Sequence, residues 1–275
     1  MVTAASGPAP QAAFRVLVQG VSKSYTDRHR ELPVLRRVSL SVRDGEFVSI
    51  IGPSGCGKST LFNIVSGVVP ADEGRVYVNG EETRNRVGLV GYMPQKDLLL
   101  PWRTVLDNVV LGMEVAGVKR AAARSEAMPL LAAFGLAGFE SVYPHALSGG
   151  MRQRVAFLRT FLFHRDVLLL DEPFGALDAL TRSTMHEWLL DVWEKLGATI
   201  LFVTHDVEEA VLLSDRVYVM TARPGQIKME LAIDLPRPRH YDMTMSPRFL
   251  EQKSVLLQAL RDESIEAIET MAAPA

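Results

Sequence analysis

The sequence predicts an α/β fold in which a mainly parallel sheet forms the core, an antiparallel β subdomain precedes it and a helical subdomain interrupts it. Three observations carry this expectation: β-branched runs parted by polar turns over residues 14–51, apolar residues at helical spacing from Thr104 to about Leu136, and strand-like and helix-like segments alternating from Val167 to Met220. A chain of 275 residues can bury a sizeable core. Its net charge of −2 supplies none of the overall positive charge that nucleic-acid binders carry, so no nucleic-acid partner is expected. The single cysteine, Cys56, cannot close an internal disulfide, which fits a reducing compartment. No apolar run approaches the ~18 residues that cross a bilayer, and the first residues lack the blocks of a signal peptide.

Residues 1–13 are rich in Ala, Pro, Ser and Gly and are expected to be a disordered leader. The runs Val16-Leu17-Val18, Val38-Ser39-Leu40 and Phe47 to Ile51 read as strands. Gly74 to Asn79 reads as a fourth, turning at Asn79-Gly80 into a hairpin. A further strand is expected from Val87 to Tyr92, followed by a helical insert over about 97–165 in which Pro129 breaks or starts a helix. Beyond it come strand Val167 to Leu170, a helix near Ala179 to Lys195, strand Thr199 to Val203, a short helix from Asp206 and strand Arg216 to Met220. Met229 to Leu235 is expected as an edge strand. Ser246 to about Thr270 reads as a one-sided helix with Leu250, Leu257, Leu260 and Ile268 on its apolar face.

The chemistry begins at Gly52-Pro53-Ser54-Gly55-Cys56-Gly57-Lys58-Ser59, a G-x-x-x-x-G-K-[ST] run directly after strand Phe47 to Ile51 and directly before a helical run starting at Thr60. Glycines let the backbone curl until successive N–H groups face a phosphate, and the helix N-terminus adds partial positive charge. Lys58 brings a mobile full charge to the β- and γ-oxygens, and the Ser59 hydroxyl can ligate Mg²⁺. Cys56 is expected as a small filler residue, at which a bulky thiol reagent would block nucleotide binding and MgATP would protect.

The apolar strand Val167 to Leu170 ends in Asp171-Glu172. Adjacent strand residues point to opposite sides, so the two carboxylates are expected to divide the work: Asp171 holding Mg²⁺ through its water shell, Glu172 polarising the water that attacks the γ-phosphate. His205 ends the parallel strand before it at the same carboxyl edge, where ligands bind in open α/β sheets, and is expected to sense the γ-phosphate and the attacking water. These residues point to a P-loop nucleoside triphosphatase, a class that also holds kinases, helicases and switch GTPases.

The run Leu147-Ser148-Gly149-Gly150-Met151-Arg152-Gln153-Arg154 resembles the signature of ABC ATPases, and with Gln95, Asp171-Glu172, Ala176-Leu177-Asp178 and His205 it reproduces that family's motif order over nearly all of Gly20 to Thr221. The resemblance implies an ATPase domain over 14–240, a helical tail over 241–275, ATP and Mg²⁺ as cofactors, and a homodimer packed head to tail around two nucleotides. In it Ser148, Gly149 and Gly150 serve the partner's nucleotide and Asp178 lies at the seam. Tyr25 matches the family's adenine-stacking aromatic. Gln95 matches its hinge glutamine, which touches Mg²⁺ and the attacking water.

Methionine at 151, the segment Leu99 to Val105, and Ala222-Arg223-Pro224-Gly225 resemble the importer branch for nitrate, taurine, aliphatic sulfonates and related small solutes. The Pro236-Arg237-Pro238-Arg239 run fits that branch, and by itself reads as an extended charged edge. The branch implies integral membrane permease subunits as partners, a periplasmic or lipid-anchored solute-binding protein acting indirectly, and a place on the cytoplasmic face of the membrane. The apolar connection Leu98-Leu99-Leu100-Pro101-Trp102 is either core filling or part of a socket for the permease, and the resemblance favours the socket's neighbourhood. Phe157, Phe161 and Phe163 stand where smaller residues are expected. A soluble ATPase of the same family, working on nucleic acid or ribosomes, would share every catalytic motif; a single cassette with a short insert argues against it.

Overall fold

Alternation in the strand residues divides the core into two faces, and the carboxyl edge between them is where the functional side chains gather. The computed structural model describes residues 14–27, 30–82 and 86–272, so the leader expected at 1–13 lies outside the described residues. Strand β1 (Phe14–Asp27) pairs antiparallel with β2 (Arg30–Arg43), and after β3 (Phe47–Ile51) the hairpin β4 (Glu73–Val78) and β5 (Glu81–Glu82) completes a sheet of order β2-β1-β4-β5. The hairpin turns at Asn79-Gly80, both with positive φ (54° and 79°), the twist a two-residue loop requires.

The second sheet has the order β10-β9-β3-β8-β7-β6, drawn from β6 (Gly91–Met93), β7 (Val167–Asp171), β8 (Thr199–Val203), β9 (Arg216–Met220) and β10 (Ile227–Ala232). Every pairing from β9 to β6 is parallel, and β10 closes one edge antiparallel. All residues of β3, β7, β8 and β9 are buried, so these strands are largely apolar rather than alternating between apolar and polar, with Ser49, Asp171, Thr199 and Arg216 the exceptions. Phe47, Leu168, Ile200 and Phe202 face one cluster of side chains, while Val48, Leu169 and Leu201 face another shared with the antiparallel sheet and α1 (Lys58–Val65).

Between β6 and β7 lie α2 (Val105–Val109), α3 (Leu111–Val115), α4 (Arg120–Ala133) and α5 (Gly149–Phe161). Pro129 neither breaks nor starts a helix: it sits inside α4 on the exposed side, where the carbonyl it leaves unpaired, that of exposed Ser125, can turn to water. The strand expected from Val87 is shorter, because Gly88 (φ 84°) turns the chain and leaves Val87 and Leu89 exposed; pairing with β7 begins only at Gly91. The three phenylalanines have their explanation in an aromatic cluster. Phe157 stacks near Phe134 and Phe174, and Trp188 of α6 (Ala179–Leu196) meets Phe134, Phe157 and Phe161 edge-on. Phe163 stacks under the Arg165 guanidinium, at 4.2 Å.

After β8 comes α7 (Val207–Leu213), capped by Asp206. The Pro236–Arg239 run is not an exposed charged edge. Buried Arg239 donates to the carbonyls of Val211, Leu212 and Ser214 at 3.3, 3.2 and 2.6 Å, and Arg237 pairs with Asp215 at 2.7 Å while lying over the Trp193 ring. Cations at the C-terminus of α7 satisfy its last carbonyls and oppose its dipole. The edge strand runs Ile227–Ala232, earlier than expected, and the closing helix α8 (Pro247–Ala272) buries Phe249, Leu256 and Ala259 against the core.

Candidate functional site

The phosphate loop is built by glycine geometry. Gly57, the residue before α1, has φ 110°, and a Cβ there would meet Leu35 Cδ2 at 2.6 Å; Gly55 has φ 77°. Only glycine takes both positions without strain. Lys58 is buried to 7% exposure, and its Nζ donates to the carbonyls of Gly52 (2.7 Å) and Pro53 (3.1 Å), which holds the ammonium inside the curl. Ser54, Gly55, Gly57, Lys58, Ser59 and Thr60 wall a cleft of about 330 Å³, facing Gln95 and Glu172 across it. Cys56 turns inward instead. It is 1% exposed and burial raises its thiol pKa, against the pull of Lys58. A reagent therefore reaches the thiol only when the loop opens.

Asp171 and Glu172 do not divide as two neighbours of one flat strand. Asp171 ends β7 and is 1% exposed, and neither of its carboxylate oxygens has a hydrogen-bond partner among the described residues. Burial pushes its pKa up; the nearby Ser59 hydroxyl lowers it, Glu172 raises it and Lys58 lowers it. Orphaned buried carboxylate oxygens beside a serine hydroxyl are the donor chemistry a hydrated Mg²⁺ takes, so the residues fit the ion. Among the described residues no cluster of three or more His, Cys, Asp or Glu is placed to hold a metal ion.

Glu172 leaves the strand in a left-handed conformation, φ 50°, which costs of order 1 kcal/mol for a residue with a Cβ. Three backbone contacts hold it there: its N–H donates to Val203 O at 2.9 Å, and its carbonyl accepts from Gly175 N (3.2 Å) and Gln153 Nε2 (2.8 Å). The turn aims the carboxylate into the cleft, where Oε2 accepts from Gln95 Nε2 at 3.1 Å and lies 3.4 Å from His205 Nδ1. One oxygen thus gathers an amide and an imidazole from two other strand ends. A carboxylate so held can take a proton from a water in the cleft while its neighbours keep that water aligned.

The remaining expected residues stand apart from this cleft. Ser148 caps α5, its hydroxyl accepting from Met151 N at 3.2 Å, and Gly149 and Gly150 follow at the solvent-facing end of the helix. Asp178 caps α6 and accepts from Thr181 N and Oγ1 (3.0 and 2.7 Å), bonds that lower its pKa. Tyr25 is 41% exposed on β1 beneath the Lys23 ammonium. None of Tyr25, Ser148, Gly149, Gly150 or Asp178 belongs to the cleft wall.

What joins these regions escaped the reading of the sequence. Gln153 of α5, 8% exposed, donates to the Glu172 carbonyl and accepts from Ala176 N at 2.8 Å, while Arg152 reaches Asp97 at 3.0 Å and Arg159 the Asp97 carbonyl at 2.7 Å. The signature helix therefore grips both the Gln95 loop and the Glu172 loop. Buried Asn108 pins the apolar connection, donating to the carbonyls of Leu100, Arg103 and Thr104 and accepting from Leu100 N. In that connection Leu99 is core, whereas Leu98 and Trp102 are 58% and 71% exposed. Arg103 is tied inward to Glu114 at 2.7 Å. Val34 and Arg223 also line the cleft; the Arg223 motif was visible, its destination was not.

The ABC transporter family model matches residues 35–175. The chain is 43% identical over 255 residues, 93% of its length and 94% of the relative's, to an uncharacterized ABC transporter ATP-binding protein of Methanocaldococcus jannaschii. It is 38% identical over 261 residues, 93% and 98% of the two chains, to a nitrate import ATP-binding protein of Synechocystis. Among solved structures, the dimeric post-hydrolysis state of an ATP-binding cassette bound to ADP and Pi superposes with a TM-score of 0.74 at 31% identity, covering 80% of this chain and all of that one.

Proposed function

The chain belongs to the ABC transporter ATPases, and from that premise we propose that it is the motor subunit of an importer, coupling MgATP hydrolysis at a homodimer interface to the movement of a small solute by a separate permease. The observation that carries the catalytic half is the Glu172 carboxylate, gathered with Gln95 and His205 on a cleft walled by Lys58 and Ser59. In this reading Lys58 and the N–H groups of Gly55 to Thr60 bind the phosphate chain. Ser59, Asp171 and Gln95 would hold Mg²⁺, which would supply charge neutralisation to the phosphate chain. Glu172 takes the proton of the attacking water and His205 orients the γ-phosphate. Ser148, Gly149 and Gly150 of the partner subunit close the site with a hydroxyl and helix-terminal N–H groups, Asp178 sits at the seam, and Tyr25 stacks on the adenine.

Residues 14–240 act as the ATPase domain, with the helical insert about 97–165, and the tail is 241–275. The permease docks at an apolar groove of about 340 Å³ lined by Val87, Val90, Leu111, Val115 and Phe163; Arg159 on its wall donates to the Leu98 carbonyl, at the start of the connection that carries exposed Leu98 and Trp102. Among the described residues no helix is long and apolar enough to cross a membrane. In this reading the subunit works from the cytoplasmic face through its contact with the permease. The likeness to a nitrate import subunit supports a small solute such as nitrate, taurine or a sulfonate. The test is ATPase activity of the chain co-purified with the permease encoded beside it, in proteoliposomes with candidate solute-binding proteins. Stimulation by one loaded binding protein, lost in Trp102→Asp with basal ATPase kept, is expected. Stimulation by DNA or ribosomes instead would sink the importer reading in favour of the soluble alternative.

A further inference from the structure

The motif Ala222-Arg223-Pro224-Gly225 has no part in the chemistry above, yet it is built against the phosphate loop. It joins β9 to β10 as a turn closed on itself, with Thr221 N donating to Gln226 O (2.9 Å) and Gln226 N to Thr221 Oγ1 (3.0 Å). Gly225 exchanges backbone bonds with β2, its N–H to Val34 O at 2.8 Å and its carbonyl accepting from Arg36 N at 3.0 Å. It also presses on the loop so closely that a Cβ there would lie 2.2 Å from the Cys56 carbonyl oxygen. The turn therefore cannot move without moving Cys56.

On that braced turn Arg223 reaches over the mouth of the cleft. Its Nε donates to the Gly55 carbonyl at 3.4 Å, a long bond, and its side chain lines the cleft together with Lys58 and Ser59. Among the described residues the one acid on that wall is Glu172, whose Oε2 is already shared by Gln95 and His205. A guanidinium held beside an ammonium and a helix N-terminus gains from an anion between them. Behind the turn, Glu263 of α8 is 4% exposed; its Oε2 accepts from Ala222 N at 3.0 Å and its Oε1 pairs with Lys228 of β10 at 2.8 Å. A buried carboxylate so engaged fixes the residue that precedes Arg223.

We propose that Arg223 is a further cationic contact to the phosphate chain of the bound nucleotide, and that Glu263 of the closing helix is the positioning residue that holds it over the cleft. The proposal rests on the nucleotide reading of this cleft. It makes the far end of the chain a determinant of ATP affinity.

The test measures MgATP and MgADP binding and steady-state hydrolysis with the full chain. Arg223→Ala is expected to weaken both nucleotides by roughly tenfold, to flatten the salt dependence of binding, and to raise KM more than it lowers kcat, because a phosphate contact made in ground and transition states alike is uniform binding. Arg223→Lys recovers part of the loss. Glu263→Ala shifts KM in the same sense, Glu263→Gln keeps an acceptor for Ala222 N and shifts it less, and on the Arg223→Ala background Glu263→Ala adds less than about twofold. Wild-type affinity and salt slope in Arg223→Ala overturn the phosphate contact. Equal losses from Glu263→Ala on both backgrounds overturn the positioning role. Lys58→Ala separates the two levels: if it leaves MgATP binding intact, the nucleotide reading of the cleft has failed, whereas its loss beside an unaffected Arg223→Ala condemns the present inference alone.

Discussion

The carboxyl edge of the parallel sheet and the N-terminal end of the signature helix are both glycine-rich, both begin a helix, and both are suited to phosphate, but they are finished to different degrees. At the sheet edge the elements converge: Lys58 is curled into its own loop, Glu172 is fixed by Val203, Gly175 and Gln153, and Gln95 and His205 meet its carboxylate. At the signature end, Ser148 does no more than cap its own helix, and Gly149 and Gly150 take no part in the cleft wall. One region is built as a site; the other, on the function proposed above, meets its nucleotide only across a dimer of two copies. Gln153 and Arg152 are the rods between them, one reaching the Glu172 carbonyl and the other Asp97 in the loop after Gln95.

The comparison breaks first at Glu172. Replacing Glu172 by Gln keeps the hydrogen-bond geometry but removes the base, and phosphate release is expected to fall by about 10²–10⁴-fold. MgATP binding persists, and an ATP-dependent dimer accumulates on size-exclusion chromatography. Wild-type turnover would remove Glu172 as the base and with it the claim that the sheet edge is the finished site.

Next in size is a test of which copy each region serves. Lys58→Ala and Gly150→Asp chains should each be nearly inactive alone. Mixed in equal amounts they regain about a quarter of wild-type hydrolysis, since half of random dimers pair the two variants and each of those keeps one wholly intact site. If the signature acted within its own chain, no mixture would recover, and the two regions would belong to one site after all.

How much of this was legible follows the same division. The parallel core, the phosphate loop and the two carboxylates could be read because each depends on neighbours in sequence: an apolar run that must be buried, glycines that must curl, acids at a strand end. The connections could not. Gln153 pairs with Glu172 and Ala176, and Asn108 with the Leu100 backbone, through bonds that no local period encodes. The reading of Pro129 failed because local propensity was overridden by packing: buried Ala123, Ala127 and Leu131 carry α4 through it. The bland alternative for Arg237 and Arg239, an extended charged edge, could not be set aside from the sequence because their acceptors, the last carbonyls of α7 and Asp215, lie more than 20 residues away.

Gln153 sharpens the comparison at moderate cost. Gln153→Ala leaves the Glu172 carbonyl without its side-chain donor and the Ala176 N–H without its acceptor in a part-buried place, a loss of about 1 kcal/mol. A fall in Tm is therefore expected. The informative readout is communication: with the rod gone, adding a wild-type partner should stimulate Gln153→Ala hydrolysis less than it stimulates the wild-type chain. Equal stimulation would mean the two regions are joined by other contacts.

The smallest effect lies beneath the cleft, at Asp171. Burial raises its pKa in the folded chain, so over the window just above the ordinary carboxylate range the folded state binds more protons than the unfolded one. Stability then falls as pH rises through that window, because the unfolded state releases the proton more readily. Asp171→Asn cannot titrate and should lose this share of the slope in Tm against pH, with the largest gain over wild type at neutral pH, where the buried charge is fully formed. The same substitution removes the oxygens that fit hydrated Mg²⁺, so Mg²⁺-dependent tightening of ATP binding should disappear together with the pH slope. If the slope is unchanged while the Mg²⁺ effect is lost, Asp171 is already ionised and paired in the folded chain. The tension between burial and metal binding, which distinguishes this edge from the solvent-facing signature, is then not stored there.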